Sequence, residues 1–274
     1  MPGIKVRTDS LLECKRAGEK IVMVTAYDYP SGRLTDEAGV DVVLVGDSLG
    51  NVALGFQDTI PVTLDQMVHH TAAVRRGVKR ALLVSDMPFM TYKGSVEEAL
   101  RNCARLVQQG GAEAVKLEGG VEIAPTIERL TRAGIPVMGH LGLTPQSIHA
   151  LGGYTVQGKR PDAAQRLRDD ALALQEAGCF SMVLECMPWE LAEEISRSLV
   201  VPTIGIGAGG GCDGQVLVLG DLIGLTTGKL PRFVKQYAQV GQTIREAVGQ
   251  YAREVRTREY PDSEHTYGTR NSGA

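Results

Sequence analysis

The 274-residue chain has no run of basic residues: 29 Lys and Arg face 32 Asp and Glu, a formal net charge of −3. That balance gives no electrostatic reason to expect a nucleic-acid partner. No apolar stretch approaches the roughly 20 residues of a membrane span. The longest, such as Ile21 to Ala26 and Val42 to Val45, are the size of buried strands. The opening Met1-Pro2-Gly3-Ile4-Lys5 lacks a basic head followed by an apolar block, so no secretory signal and a cytoplasmic setting are expected. Close-set cysteines are also missing. Cys14, Cys103, Cys179, Cys186 and Cys212 are odd in number and scattered, which suits reduced, buried thiols better than a disulfide framework or a zinc site. With no low-complexity linker, one domain is expected over residues 1–252, an N-terminal extension included, followed by a polar, partly disordered tail at 253–274.

What is present is a repeated unit. Eight short apolar runs recur, bounded by Gly, Pro or Asp: Ile21 to Asp28, Val40 to Asp47, Ala81 to Met87, Ala112 to Glu118, Ile135 to Leu141, Phe180 to Met187, Val201 to Gly207 and Gln215 to Leu219. Continuous Val/Ile/Leu runs indicate strands buried on both faces, as in a parallel sheet. Most intervals carry helical signals. Ser95-Val96-Glu97-Glu98 reads as a capping box ahead of Ala99 to Gln108, Thr144-Pro145 opens another helix, and Leu64 to Arg75, Asp162 to Ala177 and Trp189 to Leu199 are helical, with Gly178 as a left-handed stop. The pattern predicts an α/β fold, a closed (β/α)8 TIM barrel, with an open doubly wound sheet as the alternative.

Six of the runs end at or near an ionisable group: Asp28, Asp47, Asp86, Glu118, His140 and Glu185. For any one aspartate, capping the next helix is the simpler role. Six in a row point instead to one barrel mouth, the C-terminal face where strand ends and their loops converge. Asp47, Asp86 and Glu118 are hard oxygen donors without cysteine partners, a set that favours Mg2+ over zinc. Lys116 lies two residues before Glu118, so both point into the barrel, and a buried ammonium there must be paired or bind an anion. Glu185 closes the apolar Phe180 to Leu184, where desolvation makes a carboxylate a usable general base near neutral pH. His140 is either a proton relay or a satisfied core histidine; His69, His70, His149 and His265 read as structural or surface residues. Gly205-Ile206-Gly207-Ala208-Gly209-Gly210 matches GxGxxG, but no long helix follows, so NAD is discounted in favour of a tight turn or a close backbone approach.

Several blocks together resemble the ketopantoate hydroxymethyltransferase family: Val24-Thr25-Ala26-Tyr27-Asp28-Tyr29-Pro30, Val45-Gly46-Asp47-Ser48-Leu49-Gly50, Asp86-Met87-Pro88-Phe89, Val115-Lys116-Leu117-Glu118-Gly119-Gly120, Gly139 to Gln146, and Leu184-Glu185-Cys186. The likeness runs from about Lys20 to Tyr251. It implies a barrel of the phosphoenolpyruvate mutase/isocitrate lyase type. The implied reaction moves a hydroxymethyl group from 5,10-methylenetetrahydrofolate to 3-methyl-2-oxobutanoate, through a Mg2+-stabilised enolate, to give 2-dehydropantoate (ketopantoate) for pantothenate and coenzyme A. It further implies Mg2+ on Asp47, Asp86 and Glu118, oxo-acid contacts from Asp47, Ser48, Asp86 and Lys116, Glu185 as proton acceptor, and a homodecamer. The sequence departs from the family at Met90-Thr91-Tyr92, where Gly-Ser-Tyr is common, at Gly220, where His is common, and in the extra glycines of Gly209-Gly210-Gly211. A related metal-dependent oxo-acid C–C lyase and a non-catalytic metabolite-binding barrel are the competing expectations.

Overall fold

The structure is a computed structural model and describes residues 4–226, 228 and 230–267. Each of the eight apolar runs coincides with a strand, β5 ending and β8 beginning one residue outside its run: β1 (Ile21–Thr25), β2 (Val42–Val45), β3 (Leu82–Asp86), β4 (Ala114–Glu118), β5 (Val137–Gly142), β6 (Ser181–Glu185), β7 (Thr203–Ile206) and β8 (Gly214–Leu217). The strands are parallel and bonded in chain order, and β8 pairs back onto β1, so the sheet closes and the open-sheet alternative falls. Helices α1 (Thr8–Ala17), α2 (Tyr29–Glu37), α3 (Leu49–Val52), α4 (Leu64–Gly77), α5 (Val96–Arg105) and α6 (Ala124–Arg132) accompany the first half. The second half carries α7 (Ile148–Leu151), α8 (Pro161–Glu176), α9 (Trp189–Ser198), α10 (Leu219–Leu222) and α11 (Val240–Thr257).

The period of two along each strand sorts the interior into layers. Ile21 and Met23, Val42 and Leu44, Leu82 and Val84, Ala114, Met138, Val183, Ile204 and Val216 form one apolar cluster inside the barrel. Each large member adds about 1.5–3 kcal/mol of burial. Two residues further along β3, β4, β5 and β6 the inward positions become Asp86, Lys116, His140 and Glu185, with Glu118 one step beyond Lys116. At the other end α1, unmarked by any strong sequence signal, and the segment before it bring Leu11 and Val6 into the cluster. Lys15 bonds the Val201 carbonyl and the Asp213 carboxylate at 3.1 and 2.9 Å, beside the starts of β7 and β8.

Helical starts and stops follow local chemistry. Ser95 Oγ accepts the Glu98 N–H at 3.2 Å, and Gly178 takes φ +100° after α8. Thr144-Pro145 opens a 3-10 turn and then only the four-residue α7, because Gly152 and Gly153 at φ +69° and +117° halt it. Helical alternation fails between β7 and β8, where residues 207–213 run without a helix. Most parallel crossovers need a dozen residues or more. This short one lies flat on its neighbours: Gly209, at φ +79°, leaves no room for a Cβ beside Trp189, and a Cβ on Gly211 would come within 2.6 Å of Glu193. Gly209 of the GxGxxG-like segment, and Gly211 just after it, therefore serve close backbone packing.

The chain separates into two compact units, Met1–Leu219 and Gly220–Ala274. The boundary expected after residue 252 falls inside α11, whose apolar spacing (Ile244, Val248, Tyr251, Val255) continues through it until Arg258 turns left-handed at φ +64°. Beyond the helix Tyr260 folds back on Tyr251, ring centroids 5.4 Å apart. The disorder expected of the tail concerns in part residues 268–274, which lie outside the described residues.

Candidate active site

Strand register brings the polar residues together. Asp86 pairs with Lys116 across β3 and β4, Glu118 with His140 across β4 and β5, and Gly142 with Glu185 across β5 and β6. Asp47 lies two residues past the end of β2, and its N–H donates to Asp86 Oδ2 at 3.0 Å. Lys116 Nζ lies 3.0 Å from Asp86 Oδ1 and 3.1 Å from His140 Nδ1. His140 Nδ1 is 3.4 Å from Glu118 Oε1, and its Nε2 is 3.1 Å from Glu185 Oε2. Asp47, Asp86, Lys116, Glu118 and His140 are all buried, while Glu185 is partly exposed toward the opening. A contact with an imidazole thus replaces the purely apolar surroundings expected for Glu185.

Asp28 does not join this group. It is exposed and caps α2, accepting the Ser31 N–H at 2.8 Å, so the simpler role holds for this aspartate. Ser48 sits at the rim, its Oγ 2.9 Å from the Tyr27 hydroxyl. A side chain on Gly46 would meet Ser48 Oγ at 2.7 Å and Asp86 Oδ2 at 3.5 Å, so these two groups share the space over that glycine. His70, read as structural, bonds the Tyr27 carbonyl through Nδ1 at 2.6 Å; His149 and His265 are exposed.

Negative charge is in excess here, and the titration of the cluster reflects it. Burial, with the charges of Asp86 and Glu118, pushes Asp47 well above the usual carboxylate range. Burial also raises Asp86, although Lys116 pulls it down. Lys116 stays charged because its three carboxylate neighbours outweigh its own burial. Glu118 is held low: bonding and charge from His140, with Lys116, overcome burial. For His140, burial and Lys116 push downward while the nearby carboxylates of Glu118 and Glu185 push upward, to about 9. When the ring is neutral, its contacts fix which nitrogen keeps the proton. An ammonium only donates, so Nδ1 at 3.1 Å from Lys116 accepts and the proton stays on Nε2, facing Glu185. That last approach is not aligned as a hydrogen bond, so His140 and Glu185 touch without being locked.

Two residues that the sequence did not single out complete the site. Gln146 is buried, and its Nε2 donates to Asp47 Oδ2 and to the Met87 carbonyl, each at 2.8 Å. Its backbone N–H donates to Glu118 Oε2 at 3.0 Å. Tyr92, fully buried, places its hydroxyl 2.8 Å from Gln146 Oε1. A neutral amide and a phenol in a loop give no ionisable signal at a strand end, which is why only the block containing Gln146, and not the residue, stood out.

Among the described residues no group of three or more His, Cys, Asp or Glu side chains is already arranged to hold a metal ion. The donor chemistry nevertheless fits a hard cation. Asp47, Asp86 and Glu118 offer oxygen only, their charge exceeds that of Lys116, and the buried Asp86 Oδ1 lacks an aligned hydrogen bond.

The family model for ketopantoate hydroxymethyltransferase matches residues 5–263. Among solved structures the chain resembles 2,3-dimethylmalate lyase, a PEP mutase/isocitrate lyase superfamily member, with a TM-score of 0.60 at 16% identity over 96% of this chain and 90% of that one. A phosphonopyruvate hydrolase solved with oxalate and Mg2+ matches at 0.60 and 14% identity, over 95% and 93% of the two chains. At these identities the likeness concerns the fold. The chain is also 55% identical to the 3-methyl-2-oxobutanoate hydroxymethyltransferase of Carboxydothermus hydrogenoformans over 96% of its own length and 95% of that protein's. The protein of that name from Syntrophus aciditrophicus matches at 55% over 97% of both. With the barrel and its mouth in place and identity above half along nearly the whole length, the chain belongs to the ketopantoate hydroxymethyltransferase family.

Proposed function

We propose that the barrel mouth transfers a one-carbon unit from 5,10-methylenetetrahydrofolate to 3-methyl-2-oxobutanoate, giving 2-dehydropantoate for pantothenate and coenzyme A synthesis. The observation that carries this reading is the buried cluster in which three carboxylates, one ammonium and an imidazole-backed carboxylate face one opening. Asp47, Asp86 and Glu118 are the residues that would hold Mg2+. When bound, the ion supplies Lewis-acid stabilisation of negative charge developing on the keto oxygen, a contribution of several kcal/mol. Lys116 offsets the charge of the substrate carboxylate, and Ser48, fixed by Tyr27, orients it.

Glu185 takes the proton from C3 of the oxo acid. The imidazole edge lies 3.1 Å away, with the Nε2 proton toward the carboxylate and Lys116 behind Nδ1. His140 thereby couples the base to the residue that holds the substrate. The carbon freed of its proton then bonds to the methylene carbon of the folate as one of its two C–N bonds breaks; water replaces the second nitrogen to supply the hydroxyl of the product, and the two nitrogens take up the protons released by Glu185 and water as tetrahydrofolate leaves. All five cysteines are free, in keeping with a reducing cytoplasm. Among the described residues no helix is long and apolar enough to cross a membrane.

The test is NMR of 3-methyl-2-oxobutanoate in D2O with the protein and Mg2+, before and after methylenetetrahydrofolate is added. Cation-dependent loss of the C3–H signal, followed by folate-dependent appearance of a hydroxymethyl group, is expected. Exchange without product would sink the transferase reading in favour of a related oxo-acid enzyme, and no exchange would sink the chemistry.

A further inference from the structure

Gln146 is bonded to two of the three carboxylates assigned to the cation, yet it cannot ligate through the atoms it has committed. Its orientation is fixed by its partners. The Asp47 carboxylate and the Met87 carbonyl both accept, so the amide nitrogen must face them, and the oxygen must face the Tyr92 hydroxyl. A flipped amide would set oxygen against two acceptors. Tyr92 is pinned in turn. Its oxygen accepts the Glu118 N–H at 3.1 Å, and its single proton is shared between the Glu118 carbonyl at 2.9 Å and Gln146 Oε1 at 2.8 Å. One closed circuit therefore links the end of β4 to the turn after β5 and to Asp47 beyond β2. Within it Gln146 holds one oxygen of Asp47 through its side chain and one oxygen of Glu118 through its backbone.

We propose that Gln146, backed by Tyr92, is a positioning residue that sets the spacing of Asp47 and Glu118 and so determines how tightly, and with what size preference, the mouth binds a divalent cation. The inference rests on the assignment of the cation to Asp47, Asp86 and Glu118. Residues that orient metal ligands typically change affinity 10- to 100-fold when replaced. Size selectivity among hard cations depends on the span and rigidity of the oxygen cage. A residue that merely fills space would weaken all cations alike; one that sets a span would weaken the smaller ion more.

The experiment measures Mn2+ and Ca2+ dissociation constants of the full chain without substrate, Mn2+ by electron paramagnetic resonance and Ca2+ by competition. The unsubstituted chain, Gln146→Met, Tyr92→Phe and the double variant are compared, with circular dichroism confirming the fold of each. Gln146→Met, close in volume but without the amide, is expected to lose about 10- to 100-fold in Mn2+ affinity and to bring the Mn2+/Ca2+ preference toward one. Tyr92→Phe is expected to move both quantities the same way by less, and the double variant to match Gln146→Met, since the hydroxyl acts through the amide. Equal losses for both cations, Mn2+ affinity unchanged within about twofold, or additive losses in the double variant would overturn the role of Gln146. If Gln146→Met does not fold, the size preference of Tyr92→Phe decides. Failure of the unsubstituted chain to bind either cation would instead overturn the cation assignment, and this inference with it.

Discussion

At the scale of single residues, the consequence of an acidic side chain after an apolar run depends on the next few atoms. Asp28 and Asp47 look alike in sequence, but Ser31 offers a helix N–H to the first, whereas the second gives its N–H to Asp86 and its carboxylate to the Gln146 amide. Glu185→Gln should leave oxo-acid binding intact and slow C3 proton exchange in D2O at least about 10²-fold; exchange at the original rate would remove Glu185 from the base role. Met90 stands where the family often has glycine, and it holds φ +61° with its side chain 49% exposed. The left-handed backbone costs a non-glycine residue about 1–2 kcal/mol, while glycine gives back about 0.5–1 in chain entropy. Met90→Gly should therefore raise stability by up to about 1.5 kcal/mol in urea melts, and a loss would show that Met90 packs better than its exposure suggests. Ionisable strand ends made most of the mouth legible. Gln146 and Tyr92 stayed hidden because their importance lies in what they bond across the barrel.

Elements are joined at a few points where backbone groups lack partners of their own. Asp36, near the end of α2, accepts the N–H groups of Lys79, Arg80 and Ala81, which lead into β3. Burial alone would raise its carboxyl, but these bonds, helped by the charge of Lys5, hold it below the ordinary value. A depressed folded value means that its contribution is complete above the unfolded value of about 3.9 and is lost as the pH falls through the folded one. Asp36→Asn should cost about 1.5–3 kcal/mol at neutral pH, the range of bonds to a charged acceptor. Its urea midpoint should also fall less than the unsubstituted chain's on going from pH 5 into that acidic window. Parallel declines would assign the acid sensitivity elsewhere. The eight strands were legible because two-sided burial leaves continuous apolar runs. The plug α1 was not, since a single fully buried residue, Leu11, ties it to the interior and a ten-residue helix shows little periodicity around one anchor. The helix-free passage from β7 to β8 was equally hidden. Its glycines resemble a nucleotide fingerprint, and only Trp189 and Glu193 alongside reveal that they permit contact.

For the whole molecule, α11 sets the expectation. Within its own unit this 18-residue helix has no buried residue, and Ile244, Val248, Tyr251 and Val255 stand 44–60% exposed along one face. An apolar stripe of that length suits association, in line with the homodecamer proposed from family resemblance. Ile244→Asp together with Val248→Asp should therefore give a smaller particle by light scattering while circular dichroism stays unchanged; an unaltered mass would place any interface elsewhere. Closure of the barrel has a different consequence. The β1–β8 pairing joins Ile21 to Gly214, residues from opposite ends of the unit, whereas the other seven pairings join strands adjacent in the chain. Loop closure over so long a span is the slowest to be repaid during folding. The closing pair should thus be the last to zip and the first to part, so amide protons bonded between β1 and β8 should exchange with deuterium sooner than those between β4 and β5, making this seam the hinge through which the native barrel breathes.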